Sequence, residues 1–189
     1  MAPSVPAKRG ATYEDLRRVP EHQVAEILAG DLFATPRPTA QHAHTALRLS
    51  ATLGAPFDEG RGGPGGWIIL FEPELHLHDD VVVPDLAGWR RERLSPLPDA
   101  PFLTLPPDWV CEILSPTTER RDRLQKLPIY NRESVRHVWL INPSLRSLEV
   151  LRLEGGRWII AGSHGTEEGV LAIEPFEAVP LELSRIWSG

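Results

Sequence analysis

Apolar residues in the first third of the chain fall into two short runs and one longer periodic stretch. The runs at residues 24–28 and 31–34 flank an Ala-Gly pair, which predicts two antiparallel strands joined by a glycine turn. Small and apolar residues then repeat through residues 39–53, and this spacing predicts a helix capped by Thr39. We therefore expect a strand pair followed by a helix before the glycine-rich loop at residues 60–66.

The start of the chain has a different amino-acid composition. Residues 1–11 are rich in Pro and Ala and predict a flexible N-terminal arm, which leaves residues 12–189 as a single domain. Thr12 is placed to cap a short helix over residues 13–18, whose first turn is acidic, as the helix dipole favours.

From residue 67 onward the pattern changes to strands. The segment at residues 109–114 is apolar apart from one carboxylate, as in a buried central strand, and residues 118–133 predict a helix interrupted near Pro128. Together the elements predict an α+β fold with a central strand–helix–strand unit. Six runs predict strands, at residues 67–78, 81–89, 109–114, 135–141, 147–153 and 158–161.

Composition narrows the class of protein. Apolar residues make up 41% of the 189 residues, enough to bury an ordinary core. The longest apolar run, residues 67–71, is far shorter than the roughly 20 residues of a membrane span, and the chain start lacks the apolar stretch of a secretory signal. A single cysteine, Cys111, excludes an intrachain disulfide. We expect a cytoplasmic protein with no membrane partner.

The charged residues point to one unusual position. The chain carries 20 Lys and Arg against 26 Asp and Glu, a formal charge of −6, which argues against non-specific adhesion to nucleic acid. Only Lys8 and Lys126 are lysines; the other basic residues are arginines. A compact ammonium does chemistry that a planar guanidinium does less well, so Lys126 is a candidate functional residue. The alternative is a surface lysine retained by chance.

Two carboxylates stand within apolar strand segments. Asp85 lies in VVVPDLAGW and Glu112 in WVCEILS. A buried carboxylate is costly unless it is paired or binds a cation, and two on neighbouring strands suit a divalent metal with hard oxygen ligands. Such a metal polarises a phosphodiester and activates a water, and a nearby lysine stabilises the developing charge. The alternative is that one carboxylate pairs with an arginine and the other lies at a strand edge.

The order of these motifs resembles a known family. Pro84-Asp85, then EILSP at residues 112–116, then Asp122, Lys126 and Tyr130, then HVWLINP resemble the bacterial Uma-two family of the PD-(D/E)XK, or restriction-endonuclease-like, superfamily. The resemblance covers roughly residues 12–187. It implies a mixed β-sheet flanked by helices, a Mg²⁺ or Mn²⁺ site on Asp85 and Glu112, and catalysis by Asp85, Glu112 and Lys126.

One position departs from the superfamily motif. The motif lysine normally stands two residues after the glutamate, on the same strand face, and here that residue is Leu114. The resemblance therefore requires Lys126 to supply the ammonium from the following helix. On this interpretation Lys126→Ala abolishes cleavage but leaves folding and metal binding nearly unchanged.

Three further residues are candidates for supporting roles. Glu26 lies in the apolar segment VAEIL and could add to the metal site, or it could be an edge-strand acid paired with an arginine. Glu74 precedes the strand that leads to Asp85. His42 opens the predicted helix and could contact a phosphate; a capping or surface histidine is the alternative.

Partner predictions rest on arginines and tryptophans. Arg90, Arg91, Arg120 and Arg121 directly follow motif strands and are candidate DNA contacts, although ordinary surface charge would explain them equally. The C-terminal tryptophans suggest subunit contacts and hence a homodimer, the commonest oligomer. The tryptophans concerned are Trp139, Trp158 and Trp187.

The favoured function is a metal-dependent endonuclease that hydrolyses DNA phosphodiester bonds. The first alternative is a catalytically inactive endonuclease-like fold that acts as a binding or assembly module, because a fold does not fix activity. The second is a hydrolase that uses Glu26 or Glu74 with Glu112 as an acid/base pair.

Overall fold

A computed structural model describes residues 5–166 and 169–187. The N-terminal part contains three strands and two helices, of which β2, β3 and both helices agree closely with the sequence pattern. Thr12 and Thr39 cap the two helices through their side chains, as predicted. In chain order the elements are β1 (Lys8–Arg9), α1 (Tyr13–Arg17), β2 (Gln23–Leu28), β3 (Asp31–Pro36) and α2 (Ala40–Leu53), followed by a π-helical turn (Gly54–Asp58).

The remaining elements alternate strands with short helical pieces. They are β4 (Trp67–Phe71), β5 (Leu75–Leu77), β6 (Asp80–Val82), β7 (Leu86–Arg90), β8 (Trp109–Ile113), α3 (Glu119–Arg121), a π-helical segment (Asp122–Lys126), α4 (Leu127–Arg132), β9 (His137–Asn142), β10 (Ser147–Glu154), β11 (Arg157–His164), β12 (Val170–Leu171), β13 (Leu181–Glu182) and α5 (Ser184–Trp187).

Two sheets organise the described residues. One has the order β1-β3-β2-β6-β5 and the other β11-β10-β9-β8-β7-β4, while β12 and β13 form a separate pair. All the strand pairs in both large sheets are antiparallel except β8 with β9, which run parallel across the helical crossover between them. The predicted α+β class with a mixed sheet flanked by helices is confirmed, and β8 is the buried inner strand that its sequence predicted.

Two runs that were each predicted as one strand are divided between the sheets. Residues 67–78 form β4 in one sheet and β5 in the other, and residues 81–89 form β6 and β7 in the same way. Glu72 takes a positive φ of 44°, which turns the first run. Pro84 cannot donate a ladder hydrogen bond and marks the second crossing. Because of this crossing, Asp85 stands at the start of β7.

The predicted arm also needs correction, whereas the helix interruption lies close to its predicted place. Lys8 and Arg9 pair with β3, so these residues of the 1–11 segment belong to a sheet edge; residues 1–4 lie outside the described residues. That residues 12–189 form one domain stays a prediction. The helix after β8 is interrupted near Pro128 by the π-helical segment that precedes it, and Pro128 itself occupies the first turn of α4, where no N–H donor is needed.

The six-stranded sheet separates two apolar cores. The first core packs α2 and the C-terminal segment against one face, and the second packs the hairpin, the β5–β6 strands and α4 against the other. Alternate residues of β8 point to opposite faces, so Trp109, Cys111 and Ile113 enter the first core and Val110 the second. Glu112 therefore faces the second core. Within the described residues, no helix is long and apolar enough to cross a membrane.

The three tryptophans predicted to anchor a dimer pack against other residues of the same chain. Trp139 and Trp187 are buried in the first core, and Trp158 is half-buried against the second core with its indole N–H donating to the Leu127 carbonyl. Their apolar surface is used within the chain, so these residues give no support to a subunit interface. The homodimer itself stays a prediction.

Candidate active site

A cavity of about 390 Å³ lies where the β2–β3 hairpin, the start of α2 and the end of β8 approach the helical segment that follows β8. The cavity brings together Asp85, Glu112 and Lys126, which are the residues predicted to be catalytic. Two of the three supporting candidates, Glu26 and His42, line it as well. The titratable residues on its wall are Glu26, Arg37, His42, Glu72, Asp85, Glu112, Arg121, Asp122 and Lys126.

Glu112 is held by two side chains of the helical segment. Its carboxylate is only 2% exposed. The Lys126 ammonium lies 2.9 Å from both carboxylate oxygens, and the Tyr130 hydroxyl donates a 2.5 Å hydrogen bond to Oε1. Burial raises the pKa of Glu112 well above its usual value, against the opposing effect of Lys126, and nearby carboxylates raise it further. Both oxygens of Glu112 therefore have partners from this chain.

Lys126 lies among three carboxylates. Besides Glu112, its ammonium contacts Glu26 at 3.0 Å and Asp122 at 3.9 Å, and it donates to the Val83 carbonyl at 3.2 Å. The side chain is 3% exposed. Burial alone would lower the pKa of Lys126, but the three carboxylates outweigh it and raise the pKa above its ordinary value. The residue predicted from lysine scarcity is thus a buried, fully charged cation at the centre of the site.

The pKa values of Glu26 and Asp122 shift in opposite directions, although Lys126 lowers both. Burial would raise the pKa of Glu26, yet Lys126 and Arg121 lower it below the usual value; the Arg121 Nε lies 3.5 Å from its Oε2. Burial raises the pKa of Asp122 to about 6, with Lys126 opposing and Glu26 adding to the rise. Glu26 is the more firmly ionised carboxylate of the two.

Asp85 is fixed from two sides. His42 Nε2 lies 2.6 Å from Oδ1, and the backbone N–H of Ile113 donates to Oδ2 at 2.6 Å. Burial would lower the pKa of His42, but the hydrogen bond and charge of Asp85 raise it above the usual value. The Thr39 cap places His42 in the first turn of α2, which is why it reaches the strand end. His42 is therefore a partner of Asp85, neither a capping residue nor a surface one.

The charge of the cavity is acidic overall. Five carboxylates on its wall face three cationic side chains and one histidine: Glu26, Glu72, Asp85, Glu112 and Asp122 against Arg37, Arg121, Lys126 and His42. No group of three His, Cys, Asp or Glu side chains within residues 5–166 and 169–187 is arranged to hold a metal ion. Mg²⁺ is commonly bound by one or two carboxylates together with water and substrate phosphates, and the two predicted ligands, Asp85 and Glu112, both line this cavity.

Glu74 lies outside this cavity. Its carboxylate accepts a 2.8 Å hydrogen bond from the Tyr13 hydroxyl and lies 2.7 Å from His76 Nε2. The break between β4 and β5 after Phe71 carries it to a neighbouring cavity. The predicted alternative that pairs Glu74 with Glu112 as acid and base is therefore not supported by their positions.

The arginines predicted to contact DNA do not line the cavity as an exposed basic surface. Arg90 and Arg91 lie at the far end of β7, about 17 Å along the strand from Asp85. Arg90 packs over the Trp67 ring, and Arg91 binds Asp58. Arg120 is exposed but is not part of the cavity wall, and Arg121 is buried against Glu26. Their prediction rested on sequence adjacency, which does not show where a strand ends in space.

Sequence reasoning named Asp122 and Tyr130 in the motif order but gave them no role. Their spacing from Lys126 is four residues in each direction, and such residues share a helix face. The wide π-helical turn keeps Asp122 and Lys126 directed at Glu112. The signal was therefore present in the i, i+4 spacing. Glu72 and Arg37, which pair at 3.1 Å on the cavity wall, were given no role in the sequence analysis.

The surroundings of Leu114 explain why this position does not carry the lysine of the superfamily motif. It is buried in the second core, packed with the side chains that support α4. An ammonium at this position would be buried among apolar side chains, whereas Lys126 reaches Glu112 from the helix. The ammonium predicted for the site is thus present, supplied by a different element.

Comparisons with known proteins agree with this architecture. The model of the Uma2 family, described as "Putative restriction endonuclease", matches residues 11–184. The chain is similar to a crystal structure described as "a putative nuclease belonging to DUF820" from Anabaena variabilis, with a TM-score of 0.75 and 18% identity. The match covers 94% of this chain and 97% of that one. No curated protein matches. Since the family model spans nearly the whole chain, the protein belongs to the Uma2 family.

Proposed function

We propose that this protein is a metal-dependent endonuclease that hydrolyses DNA phosphodiester bonds in the cavity next to β8. The observation that carries the proposal is the meeting of Asp85, Glu112 and Lys126 at one cavity, although they come from three different elements. Membership of a family described as "Putative restriction endonuclease" supports the same chemistry. Enzymes of this kind usually depend on a metal.

Asp85 and Glu112 would hold the cation, which we propose to be Mg²⁺ or Mn²⁺. A divalent cation bound there would polarise the phosphodiester and lower the pKa of the attacking water. The excess of carboxylates over cationic groups in the cavity supports this assignment, because a further cation opposes the burial and the carboxylate repulsion that together raise the pKa values of Glu112 and Asp122.

The remaining residues orient these two carboxylates. Tyr130 fixes one oxygen of Glu112, and His42 fixes one oxygen of Asp85. Lys126 contributes a charge that stays positive across the working pH range and stabilises negative charge developing on the phosphate. Glu26 and Asp122 hold Lys126 in place through their contacts with its ammonium.

A second candidate function is supported by the same contacts. Both oxygens of Glu112 already have partners within the chain, as expected if internal ion pairs have replaced a cation site. In that case the fold would serve as a binding or assembly module without hydrolysis.

Calorimetric titration with Mn²⁺ and cleavage of a labelled oligonucleotide mixture separate the two functions. The endonuclease is expected to bind Mn²⁺ and to cut in its presence, and Asp85→Asn should lose both. Asp79→Asn is the matched control, because Asp79 is exposed in the turn between β5 and β6. Absence of both Mn²⁺ binding and cleavage in the parent protein, with DNA binding retained, would establish the module instead.

We also propose that the protein is a cytoplasmic homodimer, since two-fold dimers are the commonest oligomers. Light scattering at micromolar concentration should give twice the 21.1 kDa of one chain. A single-chain mass would remove the dimer without affecting the proposed chemistry.

A further inference from the structure

The candidate active site has a neighbouring cavity. This second cavity, of about 410 Å³, shares four wall residues with the first: Val24, Arg37, Glu72 and Val83. The Arg37–Glu72 ion pair therefore stands on the boundary between the two cavities. A linear ligand with one unit in the first cavity would place its next unit in the second.

The two cavities differ in charge. The first is acidic, whereas the charged wall residues of the second are balanced: Arg17 and Arg37 against Glu72 and Glu74. The Arg37 side chain is 57% exposed, and its guanidinium is oriented by Glu72 and by the carbonyl of Glu21 at 3.2 Å. An exposed guanidinium with a fixed direction, next to a proposed cation site, is suited to a second phosphate of the same strand.

An aromatic ring lies on the wall of the second cavity. Tyr13 is 36% exposed, and its hydroxyl donates to Glu74, which fixes the ring. The ring also packs in a T-shaped arrangement with His76, with centroids 4.7 Å apart. Fixed, partly exposed rings beside a phosphate-binding group are the usual platforms on which unpaired bases stack.

Duplex DNA fits these features poorly. Each cavity has the size of a small-ligand site, which admits nucleotides one at a time. The arginines that could have gripped a second strand, Arg90 and Arg91, lie at the far end of β7 and are engaged by Trp67 and Asp58. A stacked base pair also cannot present a base face to Tyr13.

We infer that the two cavities form a continuous track for one unpaired DNA strand, in which Arg37 binds a phosphate and Tyr13 stacks on a base. This inference deepens the proposed function and rests on it for the identity of the substrate as DNA. It makes single strands, flaps or frayed ends the substrate class, in preference to intact duplex.

Fluorescence anisotropy with a labelled 12-nucleotide single strand and the matching duplex, in Ca²⁺ so that binding is separated from cleavage, tests the inference. The single strand should bind about tenfold more tightly than the duplex. Arg37→Gln should weaken single-strand binding about tenfold and reduce the salt slope by about 0.7, the effect of one lost phosphate contact. Tyr13→Ala should weaken binding roughly tenfold, whereas Tyr13→Phe keeps the ring and should stay near the parent value.

Two further variants exclude structural effects. Glu72→Gln releases Arg37 from its carboxylate and should strengthen single-strand binding, the opposite of the Arg37→Gln result. Arg157→Gln removes an exposed charge from β11, at the other edge of the six-stranded sheet, and should change nothing.

Two results would overturn the inferred track. One is binding of the duplex that equals or exceeds binding of the single strand; the other is parent-like binding by both Arg37→Gln and Tyr13→Ala. Its failure is distinguishable from that of the nuclease. An enzyme that cuts duplex with Mn²⁺ but ignores these substitutions loses only the track, whereas single-strand binding without Mn²⁺ binding or cleavage keeps the track and removes the nuclease.

Discussion

The two faces of β8 show how one strand serves two purposes. On one face Trp109 packs edge-to-face against Trp139 and Phe176, with ring centroids 5.3 and 5.0 Å apart. On the other face Glu112 is buried with the charges of Lys126 and Asp122. The first face stabilises the fold because it buries apolar area, whereas the second face offsets part of that stabilisation because its charges lose their hydration. A stable apolar face therefore supports a polar face that would be costly by itself.

Removing the Lys126 ammonium from the polar face of β8 should have the largest effect on stability and activity. Lys126→Met leaves three buried carboxylates without their ammonium, so we expect a loss of about 3–5 kcal/mol in the free energy of unfolding together with loss of cleavage. The pKa values of the orphaned carboxylates would rise in the folded state. Such groups stabilise the folded state at low pH and lose that contribution as pH rises through the folded pKa, so the defect should shrink on acidification.

Denaturant unfolding at several pH values measures this effect. Trp139→Ala is the matched comparison on the apolar face, where a similar loss of about 3–5 kcal/mol should show little change with pH. A pH-independent loss in Lys126→Met would contradict the charge-based explanation. The burial of Lys126 also corrects the expectation that removing it leaves folding unchanged.

Tyr130→Phe should have an intermediate effect. It deletes one hydroxyl and leaves Oε1 of the buried Glu112 with the Lys126 ammonium but without the Tyr130 donor, a loss of about 1.5–3 kcal/mol. If Tyr130 also orients Glu112, the affinity for Mn²⁺ should fall in calorimetry, since supporting partners of metal ligands commonly contribute about 10–100-fold. An unchanged Mn²⁺ affinity with reduced stability would show that Tyr130 is structural only.

The parent protein should itself respond to pH through Asp122. Its folded pKa is raised to about 6 from an ordinary value of 3.8. This group therefore favours the folded state fully below about pH 4, and its contribution disappears as pH rises through about 6. Asp122→Asn should flatten that part of the stability profile, by at most about 3 kcal/mol. A profile with the same slope in both proteins would assign the pH dependence to other groups.

Local patterns predicted the elements well, and non-local contacts account for what they missed. The hairpin around Ala29-Gly30, helix α2 and strand β8 follow from short-range periodicity and caps, and they match the structure. The crossings between sheets near Glu72 and Pro84 depend on which strands each segment pairs with. A short apolar run predicts a strand but does not identify its partner strands.

The same distinction applies to the site. Asp85, Glu112 and Lys126 were selected as candidates because carboxylates in apolar strands and a rare lysine are visible in composition and pattern, and the structure places all three at one cavity. The mutual engagement of Lys126 with Glu26, Asp122 and Glu112 depends on how the helical segment folds over the sheet. For the same reason the tryptophans were assigned to an interface: an aromatic residue has the same appearance in sequence whether it packs on a partner or in a core.

The smallest effect should come from Cys111, the residue directly before Glu112. Cys111 is buried in the first core, and burial raises the pKa of its thiol well above the usual value, so it packs as a neutral apolar group. Cys111→Ala removes one heavy atom and should reduce stability by about 1 kcal/mol. Because neighbouring strand residues face opposite sides, Mn²⁺ affinity and any cleavage should stay within about twofold of the parent. Glu112→Gln, one position along the same strand, should lose both. A Cys111→Ala variant as inactive as Glu112→Gln would show that the two faces of β8 are coupled through the strand backbone and do not act independently.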